Sequence, residues 1–152
     1  MEDSPVSKPP RLSAGVVVLR NTDDGLRFLL LRAFKNWDFP KGMVEEGETP
    51  LEGALREVKE ESAIEELQFP WGEQYFETAP YSKNKVARYY LGVTQTEDVQ
   101  LLANPELSRA EHTEYRWLSA DEAYKLVTPR VALVLDWALR AIEAQPLTGA
   151  NN

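Results

Sequence analysis

The segment from Thr49 to Ile64 constrains this chain more than any other. Thr49 suits a helix N-cap, Pro50 the first helical position, and Glu52 completes a capping box. Leu51, Ala54, Leu55 and Val58 then recur at helical spacing and predict a buried stripe. The same helix carries Glu57, Glu60 and Glu61, whose spacings of three and four bring their side chains onto one face. Like charges placed so repel, each pair by roughly a few tenths of a kcal/mol on an exposed helix. Lys59 lies on a different face; Arg56 is the nearby cation, and Glu48 is placed to pair with it. An acidic face of this kind is either solvated surface or a seat for a hard divalent cation such as Mg²⁺ or Mn²⁺. On spacing alone, the solvated reading is the commoner one.

The rest of the chain narrows the chemistry. Its 152 residues suit one domain, and 43% hydrophobic residues supply a core. There is no cysteine, so disulfides, thiolate zinc sites and a Cys nucleophile are excluded. His112 is the only histidine, which excludes a multi-His metal site. Chemistry must rest on carboxylates. The net charge of −8 argues against a protein that coats nucleic acid in bulk. That charge has an address: Gly42 to Glu66 holds nine glutamates against Arg56 and Lys59, a local −7. It is a field suited to divalent cations, and through them to phosphates.

No apolar run approaches the roughly 20 residues of a membrane span, and no signal-peptide pattern opens the chain, so the default location is the cytoplasm. Residues 1–11 read as a flexible lead-in, 12–145 as the domain and 146–152 as a flexible tail. Ala14 to Arg20 and Arg27 to Arg32 predict two strands around the turn Asn21–Gly25. Trp37 to Pro40 is a short extended piece. Gly72 to Thr78, Val86 to Thr94 and Tyr115 to Leu118 predict further strands. Ser119 with Glu122 is a second capping box, opening a helix to about Val127, and a last helix starts near Pro129. Val131, Val134, Leu135, Ala138, Leu139 and Ile142 form its apolar face. The pattern predicts an α+β chain, a mixed sheet with flanking helices.

The wider spacing around the acidic helix goes further than its carboxylates. Gly42 is followed after five residues by Glu48, after seven more by Arg56-Glu57-Val58-Lys59-Glu60-Glu61, and then by Ile64. This resembles the Nudix box, G-x5-E-x7-R-E-U-x-E-E-x-G-U with U aliphatic. It departs once: Ala63 stands where the family has glycine, at a helix end that favours a left-handed residue. The resemblance implies the Nudix fold, a mixed sheet sandwiched between helices, over roughly Leu12 to Ile142. It implies hydrolysis of a nucleoside diphosphate linked to another group, with Mg²⁺ (or Mn²⁺) as cofactor. Carried over by position, Glu57, Glu60 and Glu61 are the expected metal ligands and catalytic carboxylates, joined by the backbone carbonyl of Lys41. Glu48 and Arg56 are the expected structural ion pair.

Trp37-Asp-Phe-Pro-Lys-Gly42 and Glu111-His-Thr-Glu-Tyr-Arg-Trp117 are similar to runs in the asymmetric diadenosine tetraphosphate hydrolases. That likeness makes Glu111 the expected distal carboxylate, a further metal ligand or the general base; its alternative is a plain turn residue. His112 is either a phosphate contact or an ordinary surface histidine. Trp117 is expected in the core and Arg116 on the surface. Tyr81 to Tyr90 is the basic, aromatic part of an acidic chain, with Lys83, Lys85 and Arg88. Cations there suit a polyphosphate and a flat ring suits a base. Lys83 and Lys85, with Tyr89 or Tyr90, are the substrate-binding candidates; strand alternation lets only one of the two tyrosines face a cleft. Lys35 and Lys41 could also meet phosphate. The expected partner is a small nucleotide, diadenosine tetraphosphate giving ATP and AMP. The alternatives are RNA 5′-pyrophosphohydrolysis, hydrolysis of (oxidised) nucleoside triphosphates, and a non-catalytic nucleotide-binding module.

Overall fold

The computed structural model describes residues 9–104, 109–110 and 112–147, so most of the expected lead-in and the tail from residue 148 lie outside the described residues. The elements run β1 (Arg11–Thr22), β2 (Gly25–Ala33), β3 (Asn36–Asp38), β4 (Lys41–Met43), α1 (Pro50–Ser62), β5 (Tyr75–Glu77), β6 (Lys85–Val93), β7 (Ala103–Asn104), β8 (Arg109–Ala110), β9 (Glu114–Leu118), α2 (Ala120–Tyr124) and α3 (Pro129–Ala144). The expected hairpin forms: β1 and β2 pair antiparallel through Leu19–Phe28 to Thr22–Gly25. Gly25, with φ near 110°, takes the positive φ that the tight turn requires. Next to it, β1 and β6 pair in parallel from Arg11–Lys85 to Leu19–Val93.

One seven-stranded mixed sheet results, in the order β3-β2-β1-β6-β5, with β4 added on β1 and β9 on β2. Its two faces are both buried, as the unbroken buried runs Ser13–Leu19 and Phe28–Leu31 show. Val17, Leu19, Phe28, Leu30, Tyr89 and Leu91 face α2 and α3, where Val131, Val134, Leu135, Ala138 and Ile142 complete the core. Ala14, Val16, Val18, Leu29 and Leu31 face α1 through Ala54 and Val58. The sheet is therefore sandwiched between helices. Leu147, in the stretch read as tail, packs on the α3-side core. Among the described residues no helix is long and apolar enough to cross a membrane.

Some expectations shift in detail. Leu55 is exposed, at 38%, instead of joining the α1 stripe. At about 100° per residue it lies at the edge of the stripe centred on Ala54 and Val58; Glu61 and Ser62 are buried further along the helix. β5 is shorter than Gly72–Thr78, and α2 stops at Tyr124 instead of near Val127. Trp37 and Val127 form a bridge there, which draws the chain into extended form before α3. Both predicted capping boxes are present, at Thr49–Glu52 and Ser119–Glu122.

The family glycine replaced by Ala63 is required by the backbone. Ala63 caps α1 in the left-handed region, with φ 67° and ψ 11°, and its N–H donates to the Lys59 carbonyl. A Cβ in that conformation costs about 1 kcal/mol. Ala63→Gly is therefore expected to raise unfolding stability by about that amount, read as a higher denaturation midpoint with an unchanged slope. A lower midpoint would show that the cap is not strained.

Candidate active site

The site is built where β3 and β4 meet α1. Gly15 lets the Pro40–Lys41 backbone approach β1 closely; a Cβ there would overlap the Pro40 carbonyl and Lys41. Val16 N–H then donates to Pro40 O at 3.2 Å. This seats Gly42 against the Glu57 carboxylate, so tightly that any side chain at 42 would overlap it. Glu61, 9% exposed, accepts from the Lys41 N–H at 3.1 Å. Glu57 is largely covered and Glu60 is 58% exposed.

The repulsion expected on this helix face is met by Arg56. Its Nε donates to Glu48 Oε2 at 2.6 Å and its Nη2 to Glu48 Oε1 at 3.1 Å. Nη1 donates to Glu57 Oε2 at 2.9 Å and Glu60 Oε1 at 3.1 Å, and Nη2 reaches the Met43 carbonyl at 2.8 Å. The Glu48–Arg56 pair expected from the sequence is thus formed, and Glu48 also accepts from the Glu45 N–H at 2.8 Å. The bond from Arg56, then that from Glu45, holds the Glu48 carboxyl below its ordinary range. Reciprocally, the bond to Glu48 raises Arg56 further above its ordinary value, and Glu57 adds to this against the opposing effect of burial.

Among the described residues, no three carboxylate or imidazole groups are gathered closely enough to hold a metal ion. Arg56, bonded to both Glu57 and Glu60, supplies the positive charge. The donor set nevertheless fits a hard divalent cation in its chemistry: three carboxylates from one helix beside the partly exposed backbone of Lys41–Met43. Glu111 lies outside the described residues. His112, next to it, is half-buried, and Thr113 N–H donates to Arg32 O at 2.9 Å.

A second cluster, of opposite sign, adjoins the first. Tyr81 and Lys85 exchange backbone hydrogen bonds of 2.8 Å across a turn in which Lys83 and Asn84 have φ near 58° and 57°. Lys85 stands 5.7 Å from the Tyr81 ring centroid, and the Arg130 guanidinium, from the first turn of α3, lies 4.0 Å from the same centroid. Arg130 donates to Asp38 Oδ2 and to the Tyr89 hydroxyl, each at 3.3 Å. The Lys41 ammonium is 3.9 Å from Asp38. Burial, then the charges of Lys41, Arg11, Lys83 and Arg130, pushes Lys85 below its ordinary value. Burial and the charge of Arg130 oppose the charge on Lys41, but Asp38, then Tyr81 and Glu61, outweigh both and leave Lys41 raised. A cavity of about 210 Å³ opens beside this cluster, lined by Phe76, Thr78, Pro80, Tyr81, Arg130 and Leu133 among others.

The structure therefore brings Lys41, Lys83 and Lys85 into one neighbourhood, while Lys35 lies in the exposed turn after β2. The tyrosines need correction. Tyr89 is 0% and Tyr90 4% exposed, so neither ring is open for stacking. They do point to opposite faces, but helices cover both faces; Tyr89 joins the α3 core, and Tyr90 packs edge-on to Tyr75. The half-exposed aromatic among the cations is Tyr81. Asp38 and Arg130 were not singled out in the sequence. A cation in the first turn of a helix, where the macrodipole disfavours it, was the available signal for Arg130.

Residues 9–138 match the NUDIX domain family. The chain belongs to the Nudix family. It is 36% identical over 126 residues to the asymmetrical bis(5′-nucleosyl)-tetraphosphatase of Sus scrofa, covering 75% of this chain and 82% of that one. It is 34% identical over 155 residues to the dihydroneopterin triphosphate diphosphatase of Escherichia coli, covering 94% and 95%. Its fold is similar to the crystal structure of a C. elegans Ap4A hydrolase binary complex, with a TM-score of 0.71, 28% identity, and 88% and 98% of the chains covered. The chain is thus a Nudix hydrolase, and members of this family generally use divalent metal ions.

Two outcomes test this Nudix site. Gly42→Ala should displace the Glu57 carboxylate and cut turnover by about a hundredfold, with a smaller change in melting temperature. Since the Glu48 carboxyl is lowered in the folded state, its contribution is fully present above the unfolded carboxylate range and is lost as pH falls through the folded value. The stability gap between the wild type and Glu48→Gln should therefore be widest at neutral pH and close as pH falls below the ordinary carboxylate range. A gap that widened on acidification would rule out the brace.

Proposed function

We propose that this Nudix hydrolase uses Mg²⁺ to cleave a nucleoside polyphosphate, with diadenosine tetraphosphate, giving ATP and AMP, as the best-supported substrate. One observation carries the reading. Lys41 joins two opposed fields: its N–H bonds Glu61 on the carboxylate helix, and its ammonium faces Asp38 in the cationic cluster. A long anionic chain can lie across both. The relatives support this choice: the pig protein named as a tetraphosphatase is 36% identical and covers three quarters of this chain.

Glu57, Glu60, Glu61 and the Lys41 carbonyl are the groups that would hold the cation. When bound, it supplies Lewis acidity and lowers the pKa of a water at neutral pH. The chain's own residues do the rest. Arg56, relieved of Glu57 and Glu60, still fixes Glu48 and the Met43 carbonyl and keeps α1 against its loop. Lys41, Lys85 and Arg130 hold the polyphosphate and offset charge on the departing phosphate. A water attacks one phosphorus in line, its proton passing to a carboxylate, for which Glu111 is the proposed acceptor. Lys83 is an outer electrostatic contact and His112 a candidate phosphate contact.

A second reading has its own support. The E. coli dihydroneopterin triphosphate diphosphatase matches nearly the whole of both chains. A triphosphate of another flat heterocycle fits the same pair of fields. One panel separates the readings: diadenosine tetraphosphate, dihydroneopterin triphosphate, ordinary and oxidised nucleoside triphosphates, and 5′-triphosphate RNA, each with Mg²⁺ and product chromatography. ATP plus AMP from the first, at the highest kcat/KM, is the expected result. Pyrophosphate release from another member at a higher kcat/KM would move the substrate there, and no turnover of any would favour a binding module. Glu60→Gln should lower turnover by about two orders of magnitude or more without loss of fold; near wild-type rates would refute the metal assignment.

A further inference from the structure

The cations of the second cluster come from separate elements: Arg11 from β1, Lys41 from β4, Lys85 from β6 and Arg130 from α3. Left to themselves like charges repel; burial and then these neighbours push Lys85 below its ordinary value. Asp38 is the carboxylate that two of them share. It accepts from the Tyr89 hydroxyl at 2.9 and 3.2 Å, from the Phe39 N–H at 2.7 Å and from Arg130 at 3.3 Å, with the Lys41 ammonium at 3.9 Å. Tyr89 is buried in the α3-side core, so this carboxylate is anchored to rigid structure.

Arg130 is the costly member. It sits at the positive end of α3, in a first turn that holds no acidic residue to compensate it. Its two hydrogen bonds to Asp38 and Tyr89 use two of the five N–H donors of a guanidinium, and it lines the cavity beside Tyr81. The residues run in sequence of contact from Glu61 through Lys41 and Asp38 to Arg130. Arg130 thus reaches the carboxylate helix through Asp38 and Lys41 in that chain of contacts.

We propose that Asp38 is a positioning residue that fixes the Lys41 ammonium and the Arg130 guanidinium, and that Arg130 is the specificity-determining contact for phosphates remote from the reacting one. The proposal rests on the polyphosphate reading above and deepens it. An anion inside an anion site is paradoxical only if charge is summed; held cations bind a polyphosphate with less reorganisation than free ones. Binding energy that is equal in the ground and transition states appears in KM more than in kcat, and taken up on phosphates other than the reacting one it favours longer phosphate chains over shorter ones.

The test is calorimetric titration of the full chain with inorganic tripolyphosphate in the absence of divalent cations, which isolates the cationic cluster from the carboxylate helix. Arg130→Gln should weaken binding by about tenfold or more, and Arg130→Lys by less, since it keeps the charge but loses the fork. Asp38→Asn should also weaken binding, and Asp38→Glu should recover part of the loss. If Asp38 merely repels substrate, Asp38→Asn would bind more tightly, and that result overturns the proposal. So does unchanged binding by Arg130→Gln, or no binding by the wild type. Should Asp38→Asn fail to fold, the Arg130 pair decides, because that side chain is 28% exposed and outside the core. Titration needs no turnover. A panel without a substrate would therefore sink the proposed function alone, whereas turnover with an Arg130→Gln variant that binds normally would sink only this proposal.

Discussion

Glu57, Glu60 and Glu61 share one helix face, and without a counter-charge that face would resist folding against the rest of the chain. Arg56 supplies it with a planar fork. One edge takes Glu48 through two hydrogen bonds, while the remaining donors reach Glu57, Glu60 and the Met43 carbonyl. A lysine could satisfy the charge but not these directions. The bonds to Glu48 and Met43 tie the loop before α1 to the middle of the helix. That tie sets where Gly42 lies, and Gly42 in turn leaves the space that the Glu57 carboxylate occupies. Arg56 therefore holds the carboxylates of α1 and the loop before it together, while the close approach of Pro40 and Lys41 to Gly15 seats β4.

Charge is organised by separation. The acidic helix and the cationic cluster meet at Lys41, whose backbone belongs to one and whose ammonium belongs to the other. A strand can do this because its backbone and side chain act in different directions. The net charge of −8 conceals the arrangement, since the cations come from segments that are scattered in sequence and gathered only by the sheet. An overall acidic protein can thus present a local positive site to a polyphosphate.

Local features were legible in the sequence because they are written in neighbouring residues. The Thr49 cap, the Glu48–Arg56 pair and the left-handed turn at Ala63 each depend on contacts within a few turns of one helix. The family resemblance extended this to the fold. What stayed hidden was long-range. Arg130 and Asp38 are 92 residues apart, and no periodicity links them. Tyr89 and Tyr90 looked like alternatives for a cleft because strand alternation says nothing about whether both faces are covered; here α1 and α3 cover them. Leu55 fell outside the stripe because the helix face is fixed by how α1 lies on the sheet, which the stripe itself leaves free by one residue.

The same division bears on how such a site can change substrate. The carboxylates and their brace sit on α1 and β4, where any shift would disturb Gly42, Glu57 and the buried Glu61 together. On the proposed function, the groups that meet the rest of a substrate come from the Tyr81–Lys85 turn and the first turn of α3, and Asp38 and Lys41 link the latter to the carboxylate helix. Substitutions there can alter which phosphate chain or heterocycle is held without moving the reacting groups. This arrangement accommodates relatives named for a dinucleoside tetraphosphate and for a pterin triphosphate at similar identity to one chain. On the proposed function, the carboxylate helix sets the bond that is broken, and the opposed cationic cluster sets what is attached to it.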